Sequence, residues 1–143
     1  MELIPLPYGH PDVVALTQEV QAHYRRLYGG PGDQSPVDVA DFEAPTGHFV
    51  VGYLDGVPAA MGGWRRLGDR PGLPSPNTAE IKRMYVAPAA RRLGLSRVVL
   101  AELEASARQS ADRSTDRVCR TDLVSLLFAL LPLLVSFSVL HFV

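Results

Sequence analysis

The chain has one cysteine, one tryptophan and no surplus of charge of either sign. A lone Cys119 excludes an internal disulfide and lacks the companions a zinc site needs, so a reducing, cytoplasmic setting is expected. Fourteen Lys plus Arg against fifteen Asp plus Glu leave a formal net charge of -1. No global field then recruits nucleic acid or an anionic membrane. The N-terminus, Met1 to Pro7, has no basic stretch followed by a long apolar run, so no secretory signal is expected there. There is no internal repeat and no metal-ligand cluster. His23 and His48 have no Ser, Cys or carboxylate partner at suggestive spacing, which points to surface or packing roles.

The pattern along the 143 residues suits one α/β domain. Glu2 to Pro7 alternates loosely, as a strand does. Val13, Leu16, Val20, Tyr24 and Leu27 recur at spacings of three and four between Pro11 and Tyr28, which predicts an amphipathic helix stopped by Gly29-Gly30. Pro36 to Ala44 reads as a short second helix with Ser35 as its N-cap. His48 to Leu54 and Val57 to Arg66 are strands around an Asp55-Gly56 hairpin signal. Pro58 and the Gly62-Gly63 pair suggest an edge position or a bulge in the return strand.

Gly68 to Asn77 must be a loop, Thr78 to Val86 a further strand, and Gly94 to Arg108 a helix with Leu95, Val99, Leu103 and Ala107 on one face. Residues 109–122 read as a polar linker. From Leu123 to Val143 no residue is charged, and as a helix this run would measure about 30 Å, near the thickness of a bilayer core.

The informative stretch is Ala79 to Ser96, AEIKRMYVAPAARRLGLS. A strand, a Pro turn, two arginines and a Gly-x-Ser open a helix. A helix N-terminus offers unpaired N–H groups and partial positive charge, Gly94 admits close approach, and Arg91 and Arg92 add full charges. The chemistry suits a diphosphate, although arginine-rich turns before helices are common and are usually just solvated.

Arg91-Arg92-Leu93-Gly94-Leu95-Ser96 resembles the pyrophosphate loop of GNAT N-acetyltransferases: Gln or Arg, two residues, Gly, one residue, then a small residue. The likeness spans residues 1–108 and implies an acyl-CoA-binding domain with a mixed central sheet flanked by helices. It also implies acetyl-CoA as co-substrate, with no metal, and a small-molecule or peptide amine as acceptor. Backbone N–H groups from Leu93 to Ser96 and the charges of Arg91 and Arg92 would hold the diphosphate. The backbone of Met84, Tyr85 and Val86 would pair with the pantetheine arm.

Glu80 falls where the family carries a general base; the plainer alternative is a surface pairing with Lys82 or Arg83. Trp64 and Tyr85 either line an acceptor pocket or pack in the core. Beyond Arg108 the likeness stops, leaving the C-terminal half incomplete and replaced by an apolar helix. The family's general-acid tyrosine has no counterpart, since Tyr85 is the last tyrosine.

Three readings of 123–143 stay open: a transmembrane anchor, an apolar helix covering the sheet, or out-of-frame translation joined to an acetyltransferase start. If the segment spans a membrane, Arg113, Arg117 and Arg120 would keep the folded part in the cytoplasm. The rivals to an active enzyme are a membrane-attached acyl-CoA-binding module and a truncated, non-functional fragment.

Overall fold

The computed structural model describes residues 1–32, 37–68, 78–114 and 138–140. Along the chain run β1 (Glu2–Pro5), α1 (Pro11–Tyr28), a 3-10 turn (Val39–Phe42), β2 (Gly47–Leu54) and β3 (Val57–Arg66). β4 (Ala79–Val86), a second 3-10 turn (Pro88–Ala90), α2 (Leu95–Ser114) and β5 (Ser138–Leu140) follow. The strands lie in the order β1-β2-β3-β4-β5. Every pairing among them is antiparallel, which corrects the expected mixed sheet. The physical reason lies in the connections, because β2, β3 and β4 follow one another as a meander and none of them needs a parallel crossover.

The two helices cover opposite faces of this sheet. Val13, Leu16 and Val20 of α1 pack with Phe42, Phe49, Val51, Met61 and Tyr85. On the other face Leu95, Val99, Leu103 and Ala107 of α2 meet Val50, Ala60, Trp64, Ala79 and Ile81. Strands covered on both faces read as near-continuous apolar runs, as His48 to Leu54 does. The spacing of four in α2 supplies the apolar stripe, and full burial of a Leu or Val side chain is worth about 1.5–3 kcal/mol.

At the hairpin, Asp55 (φ 51°) and Gly56 (φ 78°) both take the left-handed conformation that a tight two-residue turn needs. Pro58 sits opposite Tyr53 beside a register shift at Gly52/Tyr53, so of the two expectations the bulge is the one found, and β3 lies inside the sheet. The helix expected over Pro36 to Ala44 is only the 3-10 turn Val39–Phe42, and its cap is Asp38, whose side chain accepts from the Ala40 N–H at 3.0 Å. Ser35 and Pro36 lie outside the described residues.

α2 runs past Arg108 to Ser114, into the stretch read as a linker. Polar residues there still dock: the Ser110 hydroxyl donates to the Pro45 carbonyl at 2.6 Å, and Arg66 donates to Ser110 Oγ at 3.3 Å. Of the segment expected as an apolar or transmembrane helix, residues 123–137 and 141–143 lie outside the described residues, and Ser138–Leu140 is a strand on the first half of β4. A bare strand edge presents unpaired N–H and C=O groups, and even a short strand satisfies them. Among the described residues no helix is long and apolar enough to cross a membrane.

Candidate active site

Where β4 ends, the chain turns through Pro88–Ala90 and enters α2 at Leu95. Val86, Ala90, Arg91, Arg92, Gly94, Leu95, Ser96 and Arg97 line an open cleft of about 340 Å³ at that helix N-terminus. Arg92 (φ 66°) and Gly94 (φ 78°) both adopt the left-handed region, which for arginine costs roughly 1–2 kcal/mol. The Gly94 carbonyl accepts the N–H groups of Arg97 at 3.0 Å and Val98 at 3.4 Å, so Gly94 begins the helix. The N–H groups of Leu95 and Ser96 stand ahead of any partner within the helix.

The Arg91 Nε–H donates to the Val86 carbonyl at 3.3 Å, tying the loop to the strand end. Leu93 is well exposed and is not among the lining residues. Arg97 is a third cation that the sequence pattern overlooked; its place in the first turn of the helix was the available signal.

β4 carries a bulge at Arg83 (φ 59°), where its register with β3 shifts between Met61 and Gly63. The bulge changes which face each residue presents. Ala79 and Ile81 pack toward α2, then Met84 and Val86 do so, while Tyr85 packs toward α1. β5 pairs only with Ala79, Glu80 and Ile81. Among the described residues Met84, Tyr85 and Val86 therefore have a strand neighbour on one side alone, and the open side leads to the cleft through Val86.

Glu80 lies toward the other end of β4, about 20 Å from Val86 at the usual strand rise. It stands directly across from Arg65 on β3 and is buried. Arg65 Nε–H donates to Glu80 Oε2 at 3.0 Å, and Lys82 Nζ lies 3.8 Å from Oε1. Arg65 Nη1 donates to Asp41 of the first 3-10 turn. A buried carboxylate requires counter-charge, and Arg65 and Lys82 supply it. For Arg65 itself, burial works against the charge, but the hydrogen bonds and charges of Glu80 and Asp41 outweigh it and raise its pKa. The sequence offered Lys82 or Arg83 as partners and missed Arg65 and Asp41. Residues 67–78 separate β3 from β4, too many for turn chemistry to fix the register of the pair; residues 69–77, read from the sequence as part of a loop, lie outside the described residues.

Tyr85 donates to Glu19 Oε2 of α1 at 3.4 Å, and burial, then the nearby Glu19 charge, pushes its phenol up. Trp64 is buried on the α2 face, where its Nε1–H donates to Ser106 Oγ at 2.8 Å. His48 is half-buried and its Nε2 has no hydrogen-bond partner. Burial lowers its pKa, and Glu102 partly opposes the shift. Among the described residues no group of three His, Cys, Asp or Glu side chains could hold a metal ion.

Residues 17–121 match the acetyltransferase (GNAT) family. No curated protein matches the chain. Among solved structures, the chain is similar to an acetyltransferase of the GNAT family from Staphylococcus aureus, with a TM-score of 0.56 and 14% identity over 99% of this chain and 98% of that one. An aminoglycoside antibiotic 6'-N-acetyltransferase from Acinetobacter haemolyticus gives a TM-score of 0.53 and 18% identity over 78% and 74% of the two chains. A ribosomal-protein-alanine N-acetyltransferase from Brucella melitensis gives 0.50 and 15% over 77% and 73%. At such identities the likeness is one of fold. The family match covers most of the chain and includes both the cleft loop and β4, and on it this protein belongs to the GNAT acetyltransferase family.

Proposed function

We propose that the protein transfers an acetyl group from acetyl-CoA to a primary amine of a small molecule or peptide. The observation that carries this reading is the continuity between the open side of β4 at Met84, Tyr85 and Val86 and the arginine-lined cleft at the start of α2. The cleft offers an anion site for the diphosphate, built from the N–H groups of Leu93 to Ser96 and the charges of Arg91, Arg92 and Arg97. The strand edge offers main-chain groups to an extended pantetheine arm. Such an arm running back along β4 heads toward the end of the strand that bears Glu80.

There Glu80 acts as the base. An ammonium has no lone pair, so the acceptor gives a proton to the carboxylate, directly or through one water, and the freed amine attacks the thioester carbonyl. Collapse of the tetrahedral adduct breaks the C–S bond, and the remaining extra proton on the nitrogen passes to the departing CoA thiolate, leaving a neutral amide and the thiol. Thiol release from acetyl-CoA in the presence of amines tests the reaction, with Glu80→Gln as the comparison. The variant should keep its affinity for CoA and lose about 100-fold or more in rate at neutral pH, the scale of a lost general base. Part of the loss should return at high pH, where more of the amine is already unprotonated. An unchanged rate in the variant would remove Glu80 from the mechanism.

A second reading, acyl-CoA binding without turnover, draws on the ion pairs that Glu80 makes with Arg65 and Lys82. CoA binding with no acetyl transfer to any amine would favour it.

A further inference from the structure

Glu80 does not reach its position alone. The side chains of Arg65 and Glu80 are 12% and 7% exposed and face each other across the β3–β4 ladder. Arg65 spends its Nε–H on Glu80 Oε2 and its Nη1 on Asp41 Oδ2. That same Asp41 oxygen accepts the Asp38 N–H at 3.0 Å, half of the capping box that closes the 3-10 turn. A chain of fixed contacts thus runs from the turn backbone through Asp41 and Arg65 to one oxygen of Glu80. The other oxygen, Oε1, has the looser contact, 3.8 Å to Lys82 Nζ, beyond hydrogen-bond length.

We infer that Arg65, oriented by Asp41, is a positioning residue for the Glu80 base: it immobilises Oε2 so that Oε1 is presented to the acceptor amine. The inference rests on the role given to Glu80 above. A planar guanidinium suits the task, because its donors lie in a fixed fork and engage two carboxylates at once, which a lysine ammonium on a flexible stem does not do with the same geometry. Asp41 enters from a different element, so the position of Glu80 depends on the 3-10 turn docking against the sheet. Proton transfer needs a heavy-atom approach of hydrogen-bond length, and a misplacement near 1 Å costs on the order of 100-fold.

The test uses the full-length protein and follows thiol release from acetyl-CoA with spermidine, kanamycin and a lysine-containing peptide as acceptor probes. Arg65→Lys and Asp41→Asn should each lower kcat, by about 10-fold to 100-fold for the first and less for the second, with the KM for acetyl-CoA unchanged. The deciding measurement is a double-mutant cycle. Arg65→Gln should lower kcat in the parent, whereas in the Glu80→Gln background it should cost nothing further in kcat, because the group it positions is already gone. Additive losses would overturn the inference and leave the base role standing. An unchanged rate in Glu80→Gln would overturn the base role, and the inference with it. Absence of thiol release with all three probes would remove the acyl-transfer reading on which both depend.

Discussion

Gly63 stands directly across from Phe49 in the β2–β3 ladder, and the Phe49 ring lies so close over it that a Cβ at Gly63 would come within 2.4 Å of Phe49 Cδ2. Phe42 closes the same space from the 3-10 turn at 2.8 Å, and the Phe42 and Phe49 rings meet edge to face at 5.0 Å. The glycine is therefore a packing requirement, set by two aromatic rings rather than by backbone freedom.

Gly63→Ala should destabilise the fold by about 1–3 kcal/mol, the scale of an overpacked core. Chemical denaturation of the two proteins checks it. Gly62→Ala should cost less, because its nearest neighbour, at 2.7 Å, is the sulfur of the flexible Met84 side chain. Equal losses at the two positions would argue against the rigidity assigned to the aromatic pair.

Ser106→Ala provides a second check on packing. It would leave the Trp64 indole N–H buried with no acceptor, since the bond at 2.8 Å to Ser106 Oγ is the one it makes. A loss of about 1–3 kcal/mol in unfolding free energy is expected, the desolvation cost of an unsatisfied buried donor. The acceptor KM should not move, because Trp64 faces the α2 core and Glu80 the opposite side of the sheet. A changed KM with unchanged stability would return Trp64 to the acceptor pocket.

The α2 stripe, Leu95, Val99, Leu103 and Ala107, was legible in the sequence because it repeats at every fourth residue and nothing in the tertiary structure competes with it. The Asp55-Gly56 turn was legible for a different reason: few residue pairs tolerate two successive positive φ values. The bulge at Arg83 was not legible. A non-glycine residue held at positive φ leaves no compositional mark, yet it shifts the facing of β4 and puts Met84, not Arg83, against α2. The Arg65–Glu80 pair was hidden for a related reason, since residues 67–78 separate the two strands in sequence and pairing register is read from turn geometry only when the turn is short. The C-terminal end of α2 was misread because its docking runs through Ser110 and Arg66, a polar contact that an apolar periodicity does not register.

His48 should make the fold acid-sensitive. Burial lowers its folded pKa below the ordinary imidazole value of 6.5 that holds in the unfolded chain, against an opposing pull from Glu102. As pH falls through 6.5 the unfolded state takes up a proton before the folded state does, so stability is present above that value and declines toward and through the lower folded pKa. Urea unfolding on either side of 6.5 should show a larger acid loss in the parent than in His48→Gln. Parallel pH profiles for the two proteins would show that His48 does not contribute to it.

The cleft loop gives the prediction that bears most directly on cofactor binding. Gly94 has φ 78°, and a Cβ built there meets no described atom within 4 Å, so Gly94→Val brings backbone strain with no clash at its Cβ. Gly68 has the same character, with φ 66° and no described atom within 4 Å of a built Cβ, but it does not line the cleft. The two valine variants should therefore lose comparable stability, on the order of 1–2 kcal/mol from the left-handed backbone. Only Gly94→Val should also weaken CoA, because its side chain projects into a cleft whose diphosphate contacts are charge-assisted and worth about 1.5–3 kcal/mol each. Loss of one such contact raises Kd by roughly 10-fold to 100-fold. Calorimetric titration with CoA, alongside thermal melts of both variants, separates strain from steric exclusion. If Gly94→Val binds CoA as tightly as Gly68→Val does, the left-handed turn at Gly94 serves only to start α2, and the diphosphate must be held elsewhere along the chain.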